Sequence, residues 1–343
     1  MSLSTPLAAI FGCQGLQLDA RESRFFREAD PFGFILFQRN CDSPEQVRRL
    51  VDDLRDSVGR AGAPVLIDQE GGRVQRLKPP HWRDAPPAAR FADLAEINLD
   101  RALEAARLNA RLIARELLEL GITVDCTPVL DVPQKTADLI IGDRAYGSDP
   151  VMIAALAEAV CEGLLDGGVL PVIKHIPGHG RAEVDSHLAL PVVVTPVAEL
   201  ERSDFAPFVA LAHMPWAMTA HVVYTQIDAD NPATTSPKVI DVIRREIGFT
   251  GLLLSDDLSM EALSGNMTQR ANGALVAGCD VVLHCNGKMD EMVEVAAACK
   301  GLSDPAAIRI QQAEALRLEN MLPWQESQAE AVQRLNKMLE GTG

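Results

Sequence analysis

Short apolar runs recur along the chain, and amphipathic segments of helical length lie between them. The apolar runs are residues 7–11, 33–37, 64–67, 122–124, 169–173, 216–219, 252–254 and 281–283. The amphipathic segments include residues 44–58, 99–120, 150–165, 197–212 and 237–246. Alternating strands and helices predict a parallel sheet. Because the runs are almost continuously apolar, the sheet should be buried on both faces.

The two ends of this sheet differ in their connections. Helix-to-strand connections are short and carry glycine, which suits the left-handed residue after a helix: Gly121, Gly167, Gly168, Gly248, Gly251 and Gly278. Strand-to-helix connections are long, notably residues 68–94, 125–149 and 174–196. A (β/α)8 barrel builds its site from the loops that follow the strands.

We therefore predict an α/β fold, a single-domain (β/α)8 barrel of the TIM type. The catalytic barrel should span residues 1–303. Residues 304–343 should form a C-terminal helical appendage within the same domain. Its two helical segments, about 304–321 and 326–339, are expected to pack on the barrel.

Polar residues follow the predicted strands where each strand ends. They are Gln38, Arg39, Asp68, Asp125, Lys174, His175, His221, Asp256, Asp257 and Asn286. Because parallel strands of a barrel share one carboxyl end, we expect these side chains to converge on one mouth.

Composition narrows the possible partners. The 343 residues, 47% of them apolar, are enough for one large domain. A formal net charge of -16 argues against nucleic acid or an anionic membrane, since either would be repelled by the overall field. The first twelve residues lack a basic segment followed by a long apolar one, and no apolar stretch approaches a membrane span, so we expect a cytoplasmic protein. Seven cysteines without a Cys-x-x-Cys pair are typical of reduced, packed thiols.

The sequence Ser-Asp-Asp-Leu-Ser-Met at 255–260 brings carboxylates directly out of a buried strand. Either aspartate could cap the helix that follows, as aspartate often does. Both interpretations can hold together, with Asp256 pointing into the mouth and Asp257 capping.

Two further loop motifs carry arginines and carboxylates. Asp-Gln-Glu-Gly-Gly-Arg-Val-Gln-Arg at 68–76 suits a tight turn, and its Asp68 and Arg76 could bind sugar hydroxyls or form an ordinary salt-bridged turn. Gly-Asp-Arg-Ala-Tyr-Gly at 142–147 contains Arg144, which could reach the mouth or pair with Asp143 on the surface.

Residues 174–187 concentrate chemistry in a segment with two glycines and a proline, as functional loops do. If Asp185 meets one ring nitrogen of His187, the other nitrogen is presented for proton transfer. A solvated surface histidine is the simpler interpretation. A metal site of His175, His179, Asp185 and His187 is a further alternative, although the spacing matches no familiar zinc pattern.

Together these motifs resemble the β-N-acetylglucosaminidases of glycoside hydrolase family 3. The similar motifs are those at 68–76, 142–147 and 255–260, with Lys-His-Ile-Pro-Gly-His-Gly at 174–180 and Asp-Ser-His at 185–187. The similar motifs occur in the same order, between about residues 7 and 290. Within the family, the chain most resembles the cytoplasmic enzymes of Gram-negative peptidoglycan recycling.

The resemblance implies a retaining exo-glycosidase that removes terminal β-linked N-acetylglucosamine from 1,6-anhydro-N-acetylmuramoyl sugars and peptides. It implies Asp256 as nucleophile, His187 as proton donor and acceptor, and Asp185 as the group that orients His187. The residues implied to hold the sugar are Asp68, Arg76, Arg144, Lys174 and His175. We expect no cofactor and no metal, a small sugar as the partner, no nucleic acid, no membrane, and a monomer.

A histidine acid would be unusual, because most retaining glycosidases use two carboxyl groups. It needs little tuning, since an unperturbed histidine has a pKa near 6.5. The substrates implied carry carboxylates, so we expect Lys174, Arg76, Arg144 and Arg39 to create a positive mouth against the global charge.

Other functions remain compatible with the residues. A family 3 β-glucosidase, or a phosphorylase that uses phosphate in place of water, is the alternative within the enzymes. A non-catalytic sugar-binding barrel is the alternative from another class, and a metal-dependent barrel hydrolase is a further one.

Overall fold

The computed structural model describes residues 5–134, 141–182 and 189–341. The strands of this part of the chain are β1 (Leu7–Gly12), β2 (Pro31–Leu36), β3 (Val65–Ile67), β4 (Gln69–Gly71), β5 (Val74–Gln75), β6 (Val124–Asp125), β7 (Leu170–Ile176), β8 (Val192–Val193), β9 (Trp216–Thr219), β10 (Val223–Tyr224), β11 (Leu252–Asp257) and β12 (Val281–His284). Strands β1, β2, β3, β6, β7, β9, β11 and β12 form a closed barrel in that order, with parallel pairing throughout. The predicted α/β barrel is therefore confirmed.

Side chains alternate between two cores along each barrel strand, as the pleat requires. On β1, Ile10 belongs to a cluster inside the barrel, whereas Ala9 and Phe11 belong to a cluster between the sheet and the surrounding helices. On β3, Leu66 points inward and Ile67 outward in the same way. Burial on both faces explains why the strands are almost continuously apolar.

The helices are α1 (Ala20–Ala29), α2 (Pro44–Val58), α3 (Ala88–Ile97), α4 (Leu99–Leu118), α5 (Pro150–Asp166), α6 (Val197–Leu200), α7 (Ala206–Ala210), α8 (Pro237–Asp241), α9 (Met267–Ala277), α10 (Met289–Ala298), α11 (Asp304–Asn320) and α12 (Gln328–Leu339). Helix α2 shows why such segments are helical. The Ser43 side chain accepts from the backbone N–H of Gln46, Pro44 occupies the first turn, and Gly59 ends the helix with φ 63°.

Three segments differ in detail from the predicted elements. The predicted helix 197–212 is divided into α6 and α7, and Pro207, which has no N–H to donate, lies in the first turn of α7. The predicted helix 237–246 continues past α8 as a π-helical turn, Val242–Glu246. The loop 68–94 contains the β4–β5 hairpin and the start of α3.

Helix α11 closes the amino end of the barrel. Its Ala306 and Ala313 belong to the cluster inside the barrel, with Ile310 packed against it. Arg309 donates to the carbonyl of Thr250 (3.0 Å) and to Asp280 Oδ1 (2.6 Å), which fixes the helix to loops that enter the strands. The predicted division at residue 303 stays a prediction.

Candidate active site

A polar cavity of about 260 Å³ lies at the carboxyl ends of the barrel strands. Its apolar floor includes Ile35, Met218 and Leu283, which belong to or border the core inside the barrel. The charged and histidine side chains that line it are Asp68, Glu70, Arg73, Arg76, Arg144, Lys174, His175, His179, Asp256 and Asp257.

The β4–β5 hairpin holds Asp68 and Arg76 side by side. The Gln69 side chain accepts from the backbone N–H groups of Arg76 (2.8 Å) and Leu77 (3.0 Å). The side-chain amide of Gln69 therefore ties β4 to the residues that follow β5. At the turn Gly71 has φ 97°, and a Cβ there would lie 2.3 Å from the carbonyl oxygen of Pro86, so glycine is required. As a result Arg76 Nη2 donates to Asp68 Oδ2 at 2.9 Å.

Lys174, near the carboxyl end of β7, joins two carboxylates. Its Nζ lies 2.9 Å from Asp68 Oδ1 and 2.7 Å from Glu70 Oε1. Glu70 also accepts two bonds from Arg144, from Nε at 2.7 Å and from Nη2 at 2.8 Å. Burial acts to raise the pKa of Glu70, but Arg144 and Lys174 outweigh it and lower the value to about 2. The four side chains with Arg76 therefore form one ionised network, which we call the ion network.

Asp131 holds two histidines on the other side of the cavity. Its Oδ2 lies 2.7 Å from His175 Nδ1, and its Oδ1 accepts from the backbone N–H of His179 at 2.6 Å. Burial would raise the pKa of Asp131, but the neighbouring His175 and His179 lower it to about 2. Burial lowers the pKa of His179 to about 4 despite the negative charge of Asp131, so this ring is neutral at pH 7.

Asp256 and Asp257 end β11 at the cavity wall. The backbone N–H of Asp256 donates to Thr219 Oγ1 (3.3 Å), and Asp256 Oδ1 accepts from the N–H of Asp257 (2.7 Å). The Asp257 carboxylate accepts from the N–H and the hydroxyl of Ser259 and from the N–H of Cys285. It braces a turn, so the expectation that Asp257 caps a helix is wrong: α9 begins ten residues later, and Asn266 caps it.

Residues 21–318 match the family model described as the glycosyl hydrolase family 3 N terminal domain. The chain belongs to glycosyl hydrolase family 3. Its relatives include the β-hexosaminidase of Chromobacterium violaceum, 38% identical over 88% of this chain and 82% of the relative. The β-hexosaminidase of Nitrosomonas eutropha is 40% identical over 74% of this chain and 73% of that relative.

Among solved structures, NagZ from Neisseria gonorrhoeae in complex with N-trifluoroacetyl-D-glucosamine is similar, with a TM-score of 0.86 and 30% identity over 99% of both chains. This family 3 chain is thus a glycoside hydrolase of the β-hexosaminidase type. Each helix among the described residues is too short or too polar to cross a lipid bilayer.

The cavity of the family 3 barrel brings together many of the candidate residues. Those that line it are Asp68, Arg76, Arg144, Lys174, His175, Asp256 and Asp257. Asp185 and His187 lie outside the described residues, so the acid and its orienting partner stay predictions. Arg144 pairs with Glu70, and it is Arg73 that pairs with Asp143, at 2.8 Å.

The predicted convergence is wrong for Gln38, Arg39, Asp125, His221 and Asn286, which do not line the cavity. Asp125 pairs in register with the outward-pointing Ile67, so its side chain also leaves the barrel interior, and it accepts from the N–H of Gln69 at 2.9 Å. Arg39 donates to the carbonyls of Cys13 (3.0 Å) and Cys285.

His221 and Asn286 are held within the scaffold as well. His221 is fully buried between Thr234 Oγ1 (2.7 Å) and the carbonyl of Asp257 (2.9 Å). Asn286 donates to Glu291 on α10 at 2.6 Å. Both residues follow barrel strands as predicted, but neither side chain lines the cavity.

The expected positive mouth is not found among the described residues. Four cations line the cavity, Arg73, Arg76, Arg144 and Lys174, and four carboxylates balance them, Asp68, Glu70, Asp256 and Asp257. Arg76, Arg144 and Lys174 pair with Asp68 and Glu70, so little net charge remains to attract an anion.

Glu70 and Asp131 were missed from the sequence. Glu70 lies two residues after Asp68 in an extended segment, and this spacing places both side chains on one face. Asp131 is a carboxylate within a short apolar run, Val-Leu-Asp-Val at 129–132. Both patterns could have found these residues.

Two ligands of the metal alternative are neighbours in the cavity. Its His175 and His179 lie together, with ring centroids 5.7 Å apart. Within residues 5–134, 141–182 and 189–341, no three His, Cys, Asp or Glu side chains form a group that could hold a metal ion. The alternative also needs Asp185 and His187, which are outside these ranges.

Proposed function

We propose that this family 3 protein is a retaining exo-β-N-acetylglucosaminidase that acts on peptidoglycan fragments. The substrates are GlcNAc-1,6-anhydro-MurNAc and its peptides, from which it removes the terminal non-reducing β-linked GlcNAc. The observation that carries the proposal is the position of Asp256, in the same cavity as the ion network. A cytoplasmic location and a monomeric state are part of the proposal.

The small volume of the cavity supports action at the end of a sugar chain. A volume of about 260 Å³ is below the range of about 300–1,000 Å³ typical of pockets for larger ligands, so it suits a single sugar ring. The similar NagZ of N. gonorrhoeae is in complex with an N-acylated glucosamine, which supports the same class of sugar here.

The ion network supplies the groups that a sugar needs. A carboxylate such as Asp68 accepts from hydroxyls, whereas Arg76, Arg144 and Lys174 donate to ring substituents. Because these side chains already fix one another at 2.7–2.9 Å, little side-chain entropy is lost when the sugar binds. His175 completes the proposed set of sugar-binding residues.

The reaction then proceeds in two displacements. Asp256 attacks the anomeric carbon, the glycosidic C–O bond breaks, and His187 gives its proton to the departing oxygen. The sugar is now joined to Asp256 as an ester. In the second step His187 takes a proton from water, the water oxygen attacks the anomeric carbon, and the ester bond breaks with overall retention. Asp185 orients the imidazole and stabilises its charged form.

The nucleophile is tested by Asp256→Ala with an aryl β-N-acetylglucosaminide. We expect hydrolysis to fall by at least about 10⁴-fold, on the scale seen when a nucleophile is removed. Near-normal turnover would refute the assignment. In the wild type, NMR should show that the first product has the β configuration, and mass spectrometry after a rapid quench should find one N-acetylglucosaminyl adduct on the peptide that contains Asp256.

The acid is tested by the dependence on leaving group. His187→Gly should lose about 10²–10⁴-fold on the natural disaccharide, which needs proton donation, and far less on an activated aryl glycoside. Equal losses on both substrates would argue against the role. Running the wild-type reaction with and without phosphate separates a hydrolase from a phosphorylase, because only the latter forms a sugar phosphate.

A further inference from the structure

Asp131 lies in a segment that extends the barrel beyond β6. Val129 pairs with Lys174 as in a parallel sheet. The N–H of Leu130 donates to the carbonyl of Lys174 (2.7 Å), and the N–H of Lys174 donates to the carbonyl of Pro128 (3.1 Å). This pairing places the fully buried Asp131 directly against His175.

The contact between Asp131 and His175 fixes the imidazole. An ionised carboxylate can only accept, so the 2.7 Å contact requires a proton on His175 Nδ1. In the neutral ring Nε2 is then an acceptor, and it is the nitrogen left for a ligand because His175 lines the cavity. Without Asp131, either nitrogen could carry the proton and the ring could rotate.

The same carboxylate anchors the backbone that follows. Asp131 Oδ1 accepts from the N–H of His179 (2.6 Å), and the N–H of Gln134 donates to the carbonyl of Gly180 (3.0 Å). A Cβ at Gly180 would lie 2.1 Å from the carbonyl oxygen of Val132, so the two segments are in close contact. Residues 179–180 immediately precede the stretch that contains Asp185 and His187.

We propose that Asp131 is a positioning residue with two separable effects, one on sugar binding through His175 and one on proton delivery through the backbone at His179. The proposal rests on the proposed glycosidase function. Asp131 itself does not line the cavity and so acts on the reaction through other residues. A purely structural role is the competing explanation, and it makes different kinetic predictions.

The test uses Asp131→Asn, which keeps the size of the side chain and removes its charge. The matched control is Asp280→Asn. The Asp280 side chain is only 6% exposed and has several donors, Arg244 and Arg309 among them, but it lies at the amino end of the barrel. We expect kcat/KM of Asp131→Asn to fall by about 10- to 100-fold, the scale on which carboxylates that orient a histidine act in metal sites. Asp280→Asn should keep wild-type kcat/KM even if its melting temperature falls.

A double-variant cycle separates the two effects. In a His175→Ala background, Asp131→Asn should change KM by less than about 2-fold, because its route to sugar binding is already lost. It should still lower kcat, and more for the natural disaccharide than for an activated aryl glycoside. The nitrogen-15 shifts of the His175 ring should show a proton on Nδ1 in the wild type and mixed tautomers in Asp131→Asn.

Wild-type kinetics in Asp131→Asn, or a KM effect that is unchanged in the His175→Ala background, would overturn the proposal. Loss of kcat/KM equal to that of the Asp280 control at matched stability would do the same. If the wild type hydrolyses no β-N-acetylglucosaminide at all, it is the proposed function that fails first, and the Asp131 proposal falls with it.

Discussion

Two neighbouring strand ends in this barrel carry aspartates with opposite properties. Asp68 follows β3 and Asp125 ends β6, the next strand around the barrel. Burial acts to raise both pKa values, but Lys174 and Arg76 hold that of Asp68 far below its usual range. The N–H of Gln69 and the charge of Lys174 oppose burial at Asp125, but burial prevails and raises its pKa to about 8. No hydrogen-bond partner of its Oδ2 occurs in the described part of the chain.

The difference shows that a place at the carboxyl end of a strand does not by itself make a side chain part of the site. The pleat decides which aspartate faces the cavity, and the cations present there decide whether it is ionised. Asp68 is a charged group available to a ligand, whereas Asp125 is a neutral acid that holds the hairpin in place.

Asp68→Asn should cause the largest loss of activity among the variants that test this comparison. It removes charge-assisted hydrogen bonds to Lys174 and Arg76, each worth about 1.5–3 kcal/mol, and the proposed acceptor for sugar hydroxyls. We expect kcat/KM for an aryl β-N-acetylglucosaminide to fall by about 10²–10³-fold. Activity within a few-fold of wild type would show that the ion network is not needed for sugar binding.

Glu70→Gln should have an intermediate effect, because it keeps the shape but weakens the hold on Arg144 and Lys174. We expect a loss of about 10–10² in kcat/KM. A carboxyl with a folded pKa lowered to about 2, below the ordinary 4.5, stabilises the fold above pH 4.5, and that contribution is lost as the pH falls towards 2. Thermal melts at pH 7, 4.5 and 3 should therefore show a smaller loss on acidification for Glu70→Gln than for the wild type.

Asp125→Asn should have the smallest effect on activity, within about 2-fold at pH 7, since the amide oxygen can still accept from Gln69. The pH dependence of stability due to Asp125 should be opposite to that due to Glu70. A folded pKa of about 8, above the ordinary 3.8, means that the wild type loses stability as pH rises from about 4 to 8. The melting temperature of Asp125→Asn relative to wild type should rise across that range and level off above it.

Two results for Asp125→Asn would contradict these expectations. A large loss of activity would mean that Asp125 belongs to the site after all, and the distinction between the two strand ends would be lost. A pH-independent difference in melting temperature would mean that Asp125 is ionised in the folded protein.

Much of this site could be predicted from the sequence. The apolar runs predicted all eight barrel strands because burial on both faces leaves a continuous signal. The motifs around Asp68, Arg76, Lys174 and Asp256 predicted residues that meet in one cavity. What failed was the direction of side chains such as Asp125 and Asn286, since strand register and the position of the last paired residue are set by the folded sheet. The pairing of each cation with a carboxylate depends on loops that are distant in sequence, as for Arg144 and Glu70.

The closed amino end of the barrel fixes the order of events at the site. Because α11 packs its alanines into that end, a sugar enters and leaves the cavity by the carboxyl end alone as far as the described residues extend. In the proposed reaction the leaving group lies between the bound sugar and solvent, so it must depart before the second product can. Free N-acetylglucosamine is then the last to leave, and as a competitor for the empty cavity it should slow the enzyme whenever the sugar accumulates.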